Sequence, residues 1–443
     1  MNEVQTDYAT TPDGVYLAYQ TLGDGPIDLV WQPEWPGNID LDWDAPVWGR
    51  FLTELASFAR VIVHDHRGVG LSSRDVALPD LETRVADLRV VLDAAGTEQV
   101  VLGGEYTSGS VNALFAATDP QRVRSLIWSE PGPRSLWAPD YPWGAGPEYH
   151  AADFEALTQW GTSRYGPAIL AYQRRFGNEL PDSVAAMASR KSRNACTPDV
   201  ARQLSTLWYA TDVRAILPAI RCPTLLLGRG DTGPETEIAY VAARIPGSTV
   251  RALPDGEWSD DLIDRELEEI RRFIGVETPS AHVDSILASV LFTDIVGSTA
   301  KQSEVGDTAW KSLVERHHDI VRDALSRWRG SEVDTAGDGF YATFDGPARA
   351  VRCAVDLQQR VHEIGLEVRA GVHIGECTVI DGKIGGLPVT IGARIAARAS
   401  GSEVLVSQTV KDLVPGSGLV FEDAGEHELK GVPDRWHLYR VVG

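Results

Sequence analysis

Two short stretches in the last third of the chain constrain its fold most. Residues 291–299 read LFTDIVGST, an apolar run that ends in Asp294 and continues into a turn of Gly, Ser and Thr. This pattern predicts a strand, a loop of free backbone N–H groups and a helix N-terminus, which together favour phosphate binding. Residues 333–344 read VDTAGDGFYATF, in which a tight Gly-Asp-Gly turn around Asp338 separates two runs of strand character. That pattern predicts a hairpin.

The two stretches together predict a metal site. If the hairpin packs beside the first strand, Asp294 and Asp338 meet. Hard cations such as Mg²⁺ take oxygen ligands and share them with phosphate oxygens, so two carboxylates beside a phosphate loop suit such an ion. The alternative is that each aspartate only caps its own turn. The presence of both motifs favours the metal site.

These motifs resemble those of the class III nucleotidyl cyclases, whose first metal motif runs F-x-D-I-x-G-S/T-T and whose second is G-D-G/A-F. The resemblance predicts an α+β cyclase domain with a ferredoxin-like core over residues 285–443. It implies that Asp294, Asp338 and Ile295 hold two Mg²⁺ or Mn²⁺ ions. The residues that it implies for phosphate binding are Val296, Gly297, Ser298, Thr299 and Lys430.

Further blocks extend the resemblance. Residues 389–394 read VTIGAR where the family has V-N-x-A-x-R, so Arg394 takes the position of the arginine that meets the reacting phosphate. Thr390 replaces the asparagine that orients the ribose. Residues 368–374, VRAGVHI, match an internal strand of the family and are interpreted as scaffold.

The resemblance also bears on which base is read. The positions that read adenine in the family, a lysine and an aspartate, are here Asp334 and Lys383, the same two charges exchanged. An exchanged pair suits a keto base, because the carboxylate accepts from N1–H of guanine or N3–H of uracil and the lysine donates to the oxygen. The alternative is an ion pair that does not touch the base. ATP is the preferred substrate, with GTP and UTP as alternatives.

By resemblance, the reaction is attack of the ribose 3′-hydroxyl on the α-phosphate, which gives a 3′,5′-cyclic nucleotide and pyrophosphate. The family takes its metal carboxylates from one subunit and the arginine, the phosphate lysine and the base readers from the other. A head-to-tail homodimer is therefore implied.

Length and charge limit the other classes of function. A chain of 443 residues predicts two or three domains, and 43% hydrophobic with 23% charged residues is typical of a globular protein. The net charge of −22 argues against binding to nucleic acid or to anionic membranes. Because we find neither a membrane-length apolar run nor a secretory leader, we expect a cytoplasmic protein. Four widely spaced cysteines predict neither zinc binding nor a disulfide framework.

The first part of the chain alternates strands and helices, which predicts a parallel sheet with helices on both faces. The blocks DHRGVGLS (residues 65–72) and LFAATDP (residues 114–120) resemble an α/β-hydrolase. We assign residues 1–275 to this fold, with a helical lid at about 131–215, and residues 276–284 to a linker.

The catalytic triad expected of that fold is degenerate. The nucleophile position holds Tyr106, the acid position Asp231, and the position of the histidine base holds Glu257. Without an imidazole to take and return a proton, the usual acyl transfer is lost. Ser108 is an alternative, displaced nucleophile.

A degenerate hydrolase can keep its pocket. Tryptophans lie in the lid segment and near the opposite rim; they are Trp137, Trp143, Trp160 and Trp208, with Trp31, Trp35, Trp43 and Trp48. Such side chains can line a pocket for a small apolar ligand or pack the lid onto the core. We hypothesise a sensor or a dimerisation platform. The candidate functions are thus a regulated cyclase, a hydrolase with an appended cyclase fold, and a silent signalling scaffold.

Overall fold

A computed structural model describes residues 4–32, 37–176, 182–254, 259–275, 285–380 and 383–442. The chain divides into two compact units, Met1–Ala281 and His282–Gly443. The linker expected at residues 276–284 and the candidate residue Glu257 lie outside the described residues. No helix in the described part of the chain is long and apolar enough to span a bilayer.

The first unit alternates strands and helices. Its strands are β1 (Thr6–Thr10), β2 (Tyr16–Leu22), β3 (Asp28–Gln32), β4 (Arg60–His64), β5 (Val100–Glu105), β6 (Val123–Ser129), β7 (Thr224–Arg229) and β8 (Thr249–Leu253). Its helices are α1 (Ile39–Asp42), α2 (Pro46–Leu55), α3 (Leu81–Ala94), α4 (Gly109–Thr118), α5 (Pro147–Leu157), α6 (Tyr165–Arg175), α7 (Asp182–Ala195), α8 (Pro198–Ala210), α9 (Glu237–Ala242) and α10 (Asp260–Ile274).

These strands form one sheet in the order β1-β2-β4-β3-β5-β6-β7-β8. From β4 to β8 all neighbours are parallel, whereas β1 and β2 extend the sheet as antiparallel strands that the sequence analysis did not predict. Helices α5 to α8 lie between β6 and β7, where a helical lid was expected. The predicted fold is therefore confirmed, with an added antiparallel edge.

Both faces of this sheet are buried. Leu29 and Trp31 of β3 share one apolar cluster with helices α2 and α10. Val30, between them, is fully buried outside that cluster, because successive side chains of a strand point to opposite faces. Helix α4 packs on β5 and β6 with α3 beside it. The sheet thus presents its strand ends, rather than its faces, to a ligand.

The second unit has strands β9 (Ser285–Ile295), β10 (Ser331–Ala336), β11 (Gly339–Phe344), β12 (Val368–Ile380), β13 (Lys383–Gly385), β14 (Val404–Ser407), β15 (Phe421–Glu428) and β16 (Arg435–Val441). Its helices are α11 (Ser298–Val305), α12 (Asp307–Arg327), α13 (Pro347–His362), α14 (Leu387–Ala396) and α15 (Gln408–Leu413). The strand order is β10-β11-β9-β12-β14-β16-β15, with β13 paired to β12.

Two glycines let helix α14 lie against the sheet. A Cβ on Gly371 of β12 would overlap the backbone nitrogen of Ala396, and one on Gly392 of α14 would overlap the side chain of Val290 in β9. Helix and strands therefore meet at backbone distance, which a larger residue at either position would prevent. This contact fixes the place of Arg394, two residues after Gly392.

Candidate active site

The sheet register brings the two aspartates together. Phe340 of β11 pairs with Thr293 of β9 in antiparallel register. Continuing this register outward places the Gly337–Asp338 turn at the end of β9 where Asp294 and Ile295 lie, one strand spacing away. The hairpin and its position beside the first strand, both expected from the sequence, are what the structure shows.

The two carboxylates differ in their contacts. Asp294 Oδ2 accepts hydrogen bonds from Arg369 Nε at 3.1 Å and Nη2 at 2.5 Å. Asp338 Oδ2 is buried and has no hydrogen-bond partner among the described residues. A buried carboxylate oxygen without a partner is costly unless something binds it. The donor set therefore fits a divalent cation at Asp338, with Asp294 as a second ligand once Arg369 yields.

Two aspartates do not complete a metal site alone. Within the described ranges no group of three or more His, Cys, Asp or Glu side chains could hold an ion. The other oxygen ligands would have to come from backbone, water or the phosphates of a nucleotide, which is common for Mg²⁺.

The residues of the predicted phosphate loop differ in whether their backbone N–H groups are already hydrogen-bonded. Gly297, with φ 66°, is the N-cap of helix α11. Because Ser298 and Thr299 lie in the first turn of that helix, their N–H groups have no carbonyl acceptor within the helix. The Val296 N–H, however, donates to the carbonyl of Glu367 at 2.8 Å. Because this backbone bond uses the Val296 donor, the assignment of Val296 to phosphate binding stays a prediction.

The predicted cationic residues form a second group. Arg394 of α14 is exposed, and its Nε donates to the carbonyl of Lys430 at 3.0 Å. Thr390 is also exposed, one turn earlier on the same helix face. A pocket of about 680 Å³ includes Lys430 in its lining, which consists of Arg398, Glu428, Leu429, Lys430, Gly431, Val432, Asp434 and Arg435. The hydrogen bond from Arg394 thus joins it to a residue of this pocket.

The base-reading positions are only partly described. Asp334 on β10 is exposed, and its Oδ1 accepts from the N–H of Thr335 at 2.9 Å. Lys383 begins β13, but its side chain lies outside the described part of the structure. Their assignment to the base stays a prediction.

In the first unit, the nucleophile position has the expected backbone. Tyr106 follows β5, precedes α4 and has φ 44°, a left-handed conformation that costs a non-glycine residue about 1–2 kcal/mol. The indole of Trp128 supports this turn, because its Nε1 donates to the Tyr106 carbonyl at 2.6 Å. The strained strand-to-helix turn of a hydrolase is therefore present, with a phenol on it.

Ser108, the alternative nucleophile, is buried below the turn. It is 2% exposed. Its hydroxyl donates to the Glu105 carbonyl at 2.5 Å and accepts from the Glu105 N–H at 3.0 Å. These bonds disfavour the alternative of a displaced nucleophile, because the hydroxyl is hydrogen-bonded to the backbone below the turn.

Asp231, at the acid position, is exposed after β7, and its Oδ1 accepts from the N–H of Gly233 at 2.8 Å. It therefore shapes a turn.

The tryptophans proposed to line a pocket differ in how far they are buried. Trp31 is fully buried beside Phe51, and Trp160 is buried with its Nε1 donating to the Cys196 carbonyl at 2.9 Å. Packing accounts for these two, while Trp137 is 51% exposed and Trp35 lies outside the described residues.

A polar network that the sequence analysis missed occupies the carboxyl ends of β5 to β7. Arg229 Nη1 lies 3.5 Å from the Tyr106 hydroxyl, and the Arg229 N–H donates to the Glu130 carboxylate. Glu130, with φ 46°, is the second strained residue at this edge. The available signal was position, since each residue ends or follows a parallel strand.

Glu266 lies behind this network. It is fully buried on helix α10. Burial raises the pKa of its carboxyl to about 7, opposed by Ser129 and Arg229 and reinforced by Glu130. A carboxyl inside the core, between a sheet edge and the last helix of the first unit, makes the stability of this unit sensitive to pH.

Each of the two units matches a known protein family. Residues 281–443 match the family model of the adenylate and guanylate cyclase catalytic domain, and residues 35–258 match that of the alpha/beta hydrolase fold. The chain is 27% identical over 162 residues to "Putative adenylate cyclase 3" of Rhizobium meliloti, an alignment that covers 34% of this chain and 28% of that protein. It thus spans less than a third of this relative's length.

The first unit has relatives of its own. The chain is 28% identical over 257 residues to the "Putative non-heme chloroperoxidase" of Synechocystis, which covers 54% of this chain and 87% of that protein. A solved bromoperoxidase from Bacillus anthracis superposes with a TM-score of 0.50 at 20% identity, covering 61% of this chain and 100% of that one. At this identity the likeness shows the fold alone.

Fold and site thus define a two-unit α/β protein with a hydrolase-type sheet and a cyclase-type sheet. The chain belongs to the α/β-hydrolase fold family, and its second unit matches the family model of the adenylate and guanylate cyclase catalytic domain.

Glu266 provides a pH prediction. Its folded pKa of about 7 lies above the ordinary 4.5, so its stabilising contribution is complete below about pH 4.5 and is lost as pH rises through 7. Glu266→Gln cannot ionise, so its free energy of unfolding should gain on that of the wild type between pH 5 and 8, by on the order of 3 kcal/mol. Denaturant unfolding across this range measures the gain. Exposed Glu268→Gln on the same helix is the control, and equal pH profiles for Glu266→Gln and the wild type would contradict the assignment.

Proposed function

We propose that this protein converts ATP to 3′,5′-cyclic AMP and pyrophosphate at a site shared by two copies of the chain. One observation carries the proposal. The β9–β11 register, continued into the hairpin turn, supports a position of Asp338, whose buried oxygen is unpaired among the described residues, near Asp294 at the end of a strand that leads into a phosphate-type loop. This arrangement favours an ion shared with a triphosphate over two separate turn caps.

Each group has a distinct task. When bound, two Mg²⁺ or Mn²⁺ ions would lower the pKa of the ribose 3′-hydroxyl and balance charge on the leaving pyrophosphate. Asp294, Asp338 and the carbonyl of Ile295 would hold them. The N–H groups of residues 297–299 would orient phosphate oxygens at the start of α11.

The cationic group would act on the same substrate from a second chain. Arg394 presents a planar fork of donors that suits a phosphorus with five oxygens and extra negative charge, and Lys430 would neutralise the terminal phosphates. The separate contacts of Arg394 with Lys430 and of Asp294 with Arg369 support a division into two half-sites. A head-to-tail homodimer would then form two complete sites.

A complementation experiment tests the shared site. Asp294→Ala and Arg394→Ala should each be inactive, because every site of either homodimer lacks one half. Mixed in equal amounts and allowed to exchange, they should regain about a quarter of wild-type activity, since half of the dimers are mixed and each has one intact site. Cyclic nucleotide formation is the readout. A mixture that stays inactive, while cross-linking shows mixed dimers, would contradict the shared site.

Asp334 and Lys383 are the residues predicted to determine which base the site prefers. We expect ATP to be turned over faster than GTP, UTP or CTP in the presence of Mn²⁺. Replacing Asp334 by Lys together with Lys383 by Asp restores the charges that read adenine in the family, so this variant should raise the ratio of ATP to GTP turnover. Relative rates with the four triphosphates measure both effects. Faster turnover of GTP or UTP by the wild type would show that the exchanged pair reads a keto base.

We further propose that the first unit regulates the cyclase and does not hydrolyse esters. Tyr106 on the strained turn and the buried hydroxyl of Ser108 support this role. Glu130 and Arg229 form a charged edge that suits a polar contact with a bound ligand. The tryptophans predict an apolar contact with the same ligand. A silent scaffold is disfavoured, because such a protein has no use for both aspartates together with Arg394 and Lys430.

An ester assay checks the loss of hydrolysis. Aryl esters should be turned over no faster by the wild type than by Ser108→Ala, because neither presents an activated nucleophile. Release of the phenol is measured by absorbance. Turnover that Ser108→Ala abolishes and a conservative Ser108→Thr retains would reinstate a hydrolase.

A further inference from the structure

The two metal-site carboxylates are held unequally, and the difference comes from Arg369. This residue lies directly opposite Asp294 in the β9–β12 register. Two of its guanidinium nitrogens bond the same carboxylate oxygen of Asp294, at 3.1 and 2.5 Å. Asp338, on the neighbouring hairpin, has a buried oxygen with no partner. The guanidinium group of Arg369 is thus already paired with one of the two carboxylates.

The backbone of Arg369 is fixed while its side chain can leave. Strand β12 pairs with β9 on one side and with β14 on the other. The flanking residues Val368 and Ala370 are 2% and 0% exposed. The side chains of Arg369 and Asp294, in contrast, are 34% and 39% exposed. A change of side-chain rotamer can therefore open the ion pair without disturbing the sheet.

We propose that Arg369 is a latch on Asp294 that a divalent cation must displace before the site is loaded. This inference rests on the proposed function. A guanidinium and a divalent ion on one carboxylate oxygen repel each other, so the ion pair and the metal compete. The ion would then bind Asp338 first. Asp294 would become a ligand after the side chain of Arg369 has moved to another rotamer. The latch keeps Asp294 neutralised in the absence of metal.

The ion pair of Arg322 with Glu332 offers a matched control. It lies in the same unit, with two guanidinium nitrogens bonding the carboxylate at 2.9 and 3.2 Å. Its side chains are 53% and 32% exposed. Arg322→Gln therefore removes the same charge and a similar pair, but not from a metal-site carboxylate. Any general effect of lost positive charge on cation binding should appear equally in both variants.

The experiment measures Mn²⁺ binding to the nucleotide-free full chain, from the rise in melting temperature and from the loss of the free-Mn²⁺ paramagnetic resonance signal. Arg369→Gln should bind Mn²⁺ about 3- to 10-fold more tightly than both the wild type and Arg322→Gln, because an exposed ion pair contributes a factor of about 1.5 to 5 and a nearby positive charge is removed as well. Asp294→Asn should bind it more weakly. Arg369→Lys, which keeps the charge but loses the fork, should lie between Arg369→Gln and the wild type.

An Mn²⁺ affinity of Arg369→Gln that equals or falls below that of Arg322→Gln would overturn the latch, because Arg369 would then only position Asp294. If Arg369→Gln does not fold, Arg369→Lys decides, and an affinity no tighter than the wild type overturns the latch. Assaying cyclic nucleotide formation by the wild type separates the two levels. Activity with unchanged Mn²⁺ binding in Arg369→Gln removes the latch alone, whereas no activity together with unchanged Mn²⁺ binding in Asp294→Asn removes the proposed function.

Discussion

The antiparallel pairing of β9 with β11 and β12 is the constraint on which the second unit depends. Side chains of a strand alternate between faces, so a slip of one residue would turn Asp294 away from the Gly337–Asp338 turn. Apolar packing on one face of the sheet stabilises this register, because Ile295 and Val368 share an apolar cluster with helix α13. The buried pattern thus fixes where the charged residues emerge. Arg369 faces Asp294 for the same reason.

Much of this site could be predicted from the sequence because its signals are local. The Asp294 and Asp338 motifs each combine a strand pattern with a turn, and Arg394 was assigned from the resemblance of residues 389–394 to a family block. Arg369 could not be found this way. It sits in a buried strand pattern typical of scaffold, and its partner lies 75 residues away in sequence. The bond of the Val296 N–H could not be predicted either, because its acceptor, Glu367, comes from a distant segment.

The first unit shows the same division between backbone and chemistry. The strained turn at Tyr106 could be located by counting back from helix α4, because local sequence specifies that turn. The polar network at this edge could not, since Glu130, Arg229 and Glu266 come from three elements that only the fold brings together. The left-handed backbone at Tyr106 and the buried Ser108 hydroxyl are the observations that support the proposed regulatory role of the first unit. Helix α10, which carries Glu266, is the last described element before the second unit.

The central claim is that Asp294 and Asp338 together hold divalent ions against a nucleoside triphosphate. The most direct measurement is anomalous diffraction at the manganese edge from crystals of the full chain grown with Mn²⁺ and a non-cyclisable ATP analogue. The account predicts manganese peaks within bonding distance of oxygens from both aspartates and of the triphosphate, with Arg369 away from Asp294. Nucleotide bound with no manganese on either aspartate, and Arg369 still on Asp294, would contradict it.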